Sequence, residues 1–105
     1  MTLADKEFTG FLHRCILDKS REFIGESATE SLFSYLKLDQ HLGNPKEFHR
    51  KLESVLSKGT VVLERSIVRE LFRRLNSSYE EAKPFEFEKC VDCARKVFVA
   101  KMKGE

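Results

Sequence analysis

The chain has 105 residues, the size of one ordinary domain. Its 19 Lys and Arg nearly balance 17 Asp and Glu to a net charge of +2, with 41% hydrophobic and 34% charged residues. Five Gly and two Pro exclude collagen-like and Pro-rich sequences. The apolar share is too high for a disordered chain, and a net charge near zero gives no global argument for a nucleic-acid or membrane surface.

Along the chain, apolar residues recur at helical spacing and no stretch sustains the alternation of a strand. In a first helix, Phe8, Phe11, Leu12, Cys15, Ile16 and Phe23 share one face, and Gly25 is placed to cap its C-terminus. Ser27 and Glu30 have the spacing of a capping box, which opens a second helix with Leu32, Phe33 and Leu36 facing inward. The strongest punctuation runs from His41 to Glu47. There Gly43 is expected to end one helix, Asn44 to cap the next, and Pro45 to occupy its first turn, where a missing N–H costs nothing. A third helix carries a stripe of Phe48, Leu52, Val55 and Leu56. Ser57 to Thr60 reads as a short turn. A fourth helix from about Val61 to Leu75 spreads Val61, Ile67, Val68, Leu71, Phe72 and Leu75 over a wide arc. Asn76 to Lys83 is a loop, and Pro84 opens a fifth helix with Phe87, Cys90, Val91, Ala94, Val97, Phe98 and Met102 on one face. The expected fold is therefore all-α, a single five-helix bundle-like domain over residues 1–105, its short connections favouring antiparallel neighbours.

Three cysteines, an odd number, argue against a disulfide framework. The opening ten residues include acidic side chains and no apolar core, unlike a secretory leader. No apolar run approaches the ~20 residues of a membrane span. The expectation is a soluble, cytoplasmic protein with reduced thiols and no membrane partner. Gln40, Asn44 and Asn76 are its only amides, a scarcity also seen in thermophile proteins.

Cys90 and Cys93 form a CxxC, a weak candidate metal or redox site. Structural zinc takes four ligands, and the nearest other pair, His13 and Cys15, diverges by ~200° around its helix. A redox pair needs its first cysteine at an exposed helix N-terminus, whereas Cys90 falls on the apolar face. The plainer reading makes Cys15 and Cys90 small core residues. His41 and His49 have no Asp, Ser or Cys at a spacing that forms a local relay. Glu80 and Glu81 read as solvated loop residues. No Gly-rich phosphate loop, nucleophile elbow or metalloprotease helix occurs. No catalytic residue and no cofactor are assigned.

Arg65, Arg69 and Arg73 stand four apart on the fourth helix, with Arg74 beside them, a candidate surface for an anion or an acidic partner. The plainer reading pairs them with neighbouring glutamates. The third helix, Gly59 and the fourth helix have helix-turn-helix proportions. That alignment would point Lys58 and Arg65 into the core, so a nucleic-acid partner ranks behind a protein one. Leu17 and Ile24 lie off the main face of the first helix, and nine phenylalanines are a heavy apolar load for one small chain. These two residues are the candidate dimer surface, since twofold pairing covers the same patch on both copies.

The sequence Leu32–Leu36, followed by Asn44–Phe48, Leu52, Val55, Leu56, Gly59 and Val62–Leu71, resembles a family of small archaeal helical domains, the Nitrosopumilus output-domain group. The resemblance spans about residues 8–75 and leaves the CxxC outside. It implies a helical signalling or interaction module with no catalytic residues to carry over. The leading expectation is a non-enzymatic regulatory module that homodimerises and binds a macromolecular partner. Its alternatives are a nucleic-acid-associated regulator acting through the arginine stripe and a metal- or redox-responsive switch on the CxxC.

Overall fold

The computed structural model describes residues 3–81 and 83–103. Five helices account for most of them: α1 (Leu3–Ile24), α2 (Glu26–Leu36), α3 (Pro45–Leu56), α4 (Gly59–Arg74) and α5 (Phe87–Met102). A 3-10 turn, Leu38–His41, sits between α2 and α3, and no strand occurs among the described residues. The all-α expectation is met. No helix among the described residues is long and apolar enough to cross a membrane.

Helix α4 is the spine. Leu63, Ile67, Val68 and Leu71 recur at three- and four-residue steps, so one stripe of α4 disappears into the core, with Ile67 at 0% exposure. Burying each such side chain stabilises by roughly 1.5–3 kcal/mol. Helix α1 lies antiparallel to it. Asp18 and Lys19 reach Arg74 and Glu70 near the C-terminal end of α4, while Phe23 lies against Gly59 at its start. Helices α3 and α5 complete the enclosure of α4. Phe48 stacks on Phe87 at 5.7 Å, and Phe98 of α5 meets both Phe8 and Phe11 of α1.

The ends of the helices depart from expectation in instructive ways. Gly25 does end α1, but at φ 88 and ψ 166 it reverses the chain in a single residue, a conformation that suits glycine alone. Helix α2 therefore starts at Glu26, and the expected capping box does not form: Ser27 lies exposed in the first turn. Thr29 instead donates its hydroxyl to the Gly25 carbonyl at 2.7 Å. Gly43 does not end α2. Lys37 does, in the left-handed region at φ 52, because the following 3-10 turn then drives Leu38 and Leu42 into the core. Asn44 caps α3 as expected, its side chain accepting from the Glu47 amide at 3.2 Å, with Pro45 in the first turn.

Ser57, at φ 49 and ψ −120, makes the α3–α4 reversal, so Gly59 is the first residue of α4 rather than a turn glycine. Pro84 lies two residues short of the α5 N-cap position, Glu86, and does not open that helix. Ala82, within the expected loop, lies outside the described residues. Three residues assigned to apolar faces, Phe23, Val55 and Met102, stand substantially exposed.

Candidate functional site

The arginine stripe is largely a seam of ion pairs. Glu70 of α4 is buried against α1 and accepts from Arg73 Nε at 3.0 Å and Arg74 Nε at 2.6 Å. Arg74 also donates to Asp18 of α1 at 2.7 Å, which staples the two helices. The Arg73 hydrogen bond, joined by that of Arg74 and opposed by burial, holds the Glu70 carboxyl down at about 2. Arg65 pairs with Glu81 at 3.2 Å and lies 5.5 Å over the Phe85 ring. Arg69 is exposed, its Nε directed at the Arg65 carbonyl at 3.4 Å. The three cations that align on a helical wheel, with Arg74 beside them, thus part in space: Arg73 and Arg74 join an α1–α4 clamp, Arg65 turns to the segment that precedes α5, and Arg69 stays exposed.

The thiols are dispersed. Cys15 is buried in α1, and burial pushes its pKa up. Cys90 is half-buried with its sulfur 3.7 Å from the Tyr79 hydroxyl, and burial outweighs that hydrogen bond to raise the thiol as well. Cys93 is exposed. Raised thiols are poor nucleophiles at neutral pH. Among the described residues, no group of three or more His, Cys, Asp or Glu side chains is placed to hold a metal ion.

Two further features were not apparent in the sequence. A cleft of about 720 Å³ opens between the start of α1, the turn before α3, and α5. Phe8, Leu42 and Val91 form its buried floor. Arg95 lies at its edge, ion-paired with Asp92 and 3.6 Å from Asp5. The second feature is a histidine–carboxylate pair. Glu64 of α4 is 0% exposed, and both of its oxygens lie 2.8 Å from His49 Nδ1 of α3. The other ring nitrogen lies 3.8 Å from Glu53, one turn further along α3. Burial drives the Glu64 carboxyl up to about 7 against the pull of the His49 hydrogen bond. A search for local relays could not find a partner 15 positions away, but two signals were present. Glu64 falls on the same arc as Leu63, Ile67 and Val68, and a hairpin folded about Ser57 sets position 49 opposite position 64.

The apolar surplus lies elsewhere than expected. Leu17 and Ile24 are half-buried, and Ile24 packs against the core, because α1 is enclosed on more than one side by α2, α4 and α5. Leu3 (70% exposed), Tyr35 (80%) and Met102 (42%) stand out in solvent at separate places in the chain, and so do Phe23 (44%), Val55 (47%) and Val62 (56%). The Phe23 ring and Leu56 converge on Gly59, where an added Cβ would lie 3.9 Å from each. Val55 adjoins Leu56 in sequence, and Val62 stands one turn beyond Gly59. Three helices thereby contribute to one apolar end of the molecule.

Comparison with protein-family models, curated proteins and solved structures finds no match for this chain.

Proposed function

We propose that the protein is a non-enzymatic helical interaction module that self-associates through the end formed by Phe23, Val55, Leu56 and Val62 and presents the assembled pair to a macromolecular partner. The observation that carries this reading is the exposure of Phe23, Val55 and Val62 on α1, α3 and α4, with the Phe23 ring against Gly59 at the start of α4. Apolar residues grouped on a surface mark association sites, and an isologous contact covers the same group on both copies. The occupant of this face is therefore a second copy of the chain. The resemblance to archaeal output domains supports a signalling setting, and the raised thiols Cys15 and Cys90 favour binding over covalent chemistry.

The two other readings have less support. Arg65, Arg73 and Arg74 are held by Glu81, Glu70 and Asp18, which leaves little free charge for a phosphate backbone. A switch on Cys90 and Cys93 has only one fully exposed thiol to work with.

Light scattering after gel filtration, from micromolar to millimolar protein, tests the reading. The wild-type mass is expected to double with concentration, while Phe23→Glu and Val62→Glu remain monomeric with unchanged circular dichroism. A wild-type monomer throughout that range overturns it.

A further inference from the structure

The two ring nitrogens of His49 face two carboxylates of very different surroundings. Nδ1 faces Glu64, which is wholly enclosed, and Nε2 faces Glu53, which is largely in solvent. With the ring protonated and Glu64 ionised, or with the ring neutral and Glu64 protonated, the buried pair is neutral overall. Removing one proton leaves a carboxylate at 0% exposure with only a neutral N–H to face it, and an unpaired buried charge is strongly unfavourable.

The charged groups that act on Glu64 are His49 and Glu53, both from α3. On the α1 side, Asp18 and Lys19 reach α4 at Arg74 and Glu70 instead. Among the described residues, no ion pair joins α5 to α4. Among the described residues, no other charged group is therefore placed to compensate the carboxylate. The hydroxyl of Thr60, one turn earlier on the same face of α4, is itself buried without a hydrogen-bond partner.

We propose that His49 and Glu64 form a proton-linked clasp between α3 and α4, closed while the pair is neutral overall and released when it loses a proton. The clasp spans the hairpin that supplies Val55, Leu56, Gly59 and Val62, so its release loosens the self-association face. That last consequence rests on the proposed interaction function; the clasp itself does not. The raised Glu64 carboxyl agrees in sign. A group whose folded pKa lies above its unfolded value contributes stability below the unfolded value and loses it as pH rises through the folded one. The clasp therefore weakens as pH rises from the unfolded carboxyl range toward about 7 and changes little above it.

The test combines amide hydrogen exchange in α3 and α4, corrected for intrinsic rates, with NMR titration of the His49 ring nitrogens and the Glu64 carboxyl carbon, from about pH 5.5 to 8.5. In the wild type, the opening constant of the hairpin is expected to rise, by up to about tenfold per pH unit, from about pH 5.5 to the transition near 7 and to level off above it, as for the loss of one proton. In Glu64→Gln, which still accepts from Nδ1–H but carries no charge, it is expected to stay flat. Parallel profiles in the two proteins overturn the clasp. Should the variant not fold, the wild-type carbon decides. A transition near neutrality shared with His49 supports the proposal, and an ordinary carboxylate midpoint near 4.5 with no response from the ring overturns it. Light scattering over the same pH range separates the two ideas: a hairpin that opens in a chain monomeric at every pH leaves the clasp standing and removes the interaction reading.

Discussion

Two glutamates on one helix, six residues apart, are both shielded from solvent and driven in opposite directions. Glu70 has two guanidinium groups on its carboxylate and stays ionised down to about 2. Glu64 has one imidazole and is pushed up to about 7. Burial raises both, but Glu64 lies far deeper than Glu70, so depth and partner together decide the outcome. The folded pKa of Glu70 is depressed, so its contribution is present above the unfolded value and is lost as pH falls from about 4.5 toward 2. Glu70→Gln is expected to cost on the order of 1–2 kcal/mol at pH 7, since Arg73 is exposed and solvent screens part of the attraction. That cost should disappear near pH 2, as urea denaturation of both proteins at the two pH values would reveal. The thiols allow a second check at this scale. With an aromatic disulfide reagent, Cys93 should react promptly in the native protein, Cys90 slowly, and Cys15 only on unfolding, in keeping with their exposure.

At the scale of the helices, the stops matter as much as the stripes. Ser57 holds φ 49 and ψ −120, a conformation that costs an L-residue and costs glycine little. Ser57→Gly is expected to stabilise the protein by up to about 1 kcal/mol, whereas Asn44→Ala, which removes the α3 cap, should cost about 1 kcal/mol. Thermal denaturation of the two variants should therefore shift in opposite directions. These positions also mark where the amino-acid sequence was readable. The Asn44–Pro45 start of α3 was legible because both residues act locally, through a side-chain acceptor and a fixed φ. The end of α2 was not, and at the end of α3 the turn was read at Ser57–Thr60 but not the residue that makes it, because Lys37 and Ser57 carry no intrinsic preference for positive φ. They adopt it because Leu38, Leu42 and the start of α4 are drawn into the core, and tertiary burial outweighs a local preference of about a kilocalorie.

For the whole molecule, the distinction that counts is between what α4 encloses and what it leaves outside. Ile67→Ala should cost about 2–5 kcal/mol as a core truncation. Val62→Glu, on the outer side of the same helix, should leave stability within about 0.5 kcal/mol of wild type while abolishing self-association. Chemical denaturation paired with light scattering separates the two. The five helices and the α4 core stripe followed from periodicity alone, since one wide apolar arc requires neighbours on several sides. Which apolar residues escape burial did not. Leu17 and Ile24 depend on where α2, α4 and α5 settle, and Phe23, in the last turn of α1, is covered only in part, where its ring lies against Gly59. The pairing of His49 with Glu64 was equally hidden, since it exists only once the hairpin has closed.

The staple from Arg74 to Asp18 joins positions 56 apart in the chain. During synthesis, α1 therefore leaves the ribosome well before its mate is made. Until α4 follows, the flank bearing Leu12 and Ile16 has only α2 for shelter. The nascent polypeptide therefore covers its first helix in stages, α2 first, then α4 at the loop-entropy cost of bringing such distant segments together, and α5 last, when Phe98 reaches Phe8 and Phe11.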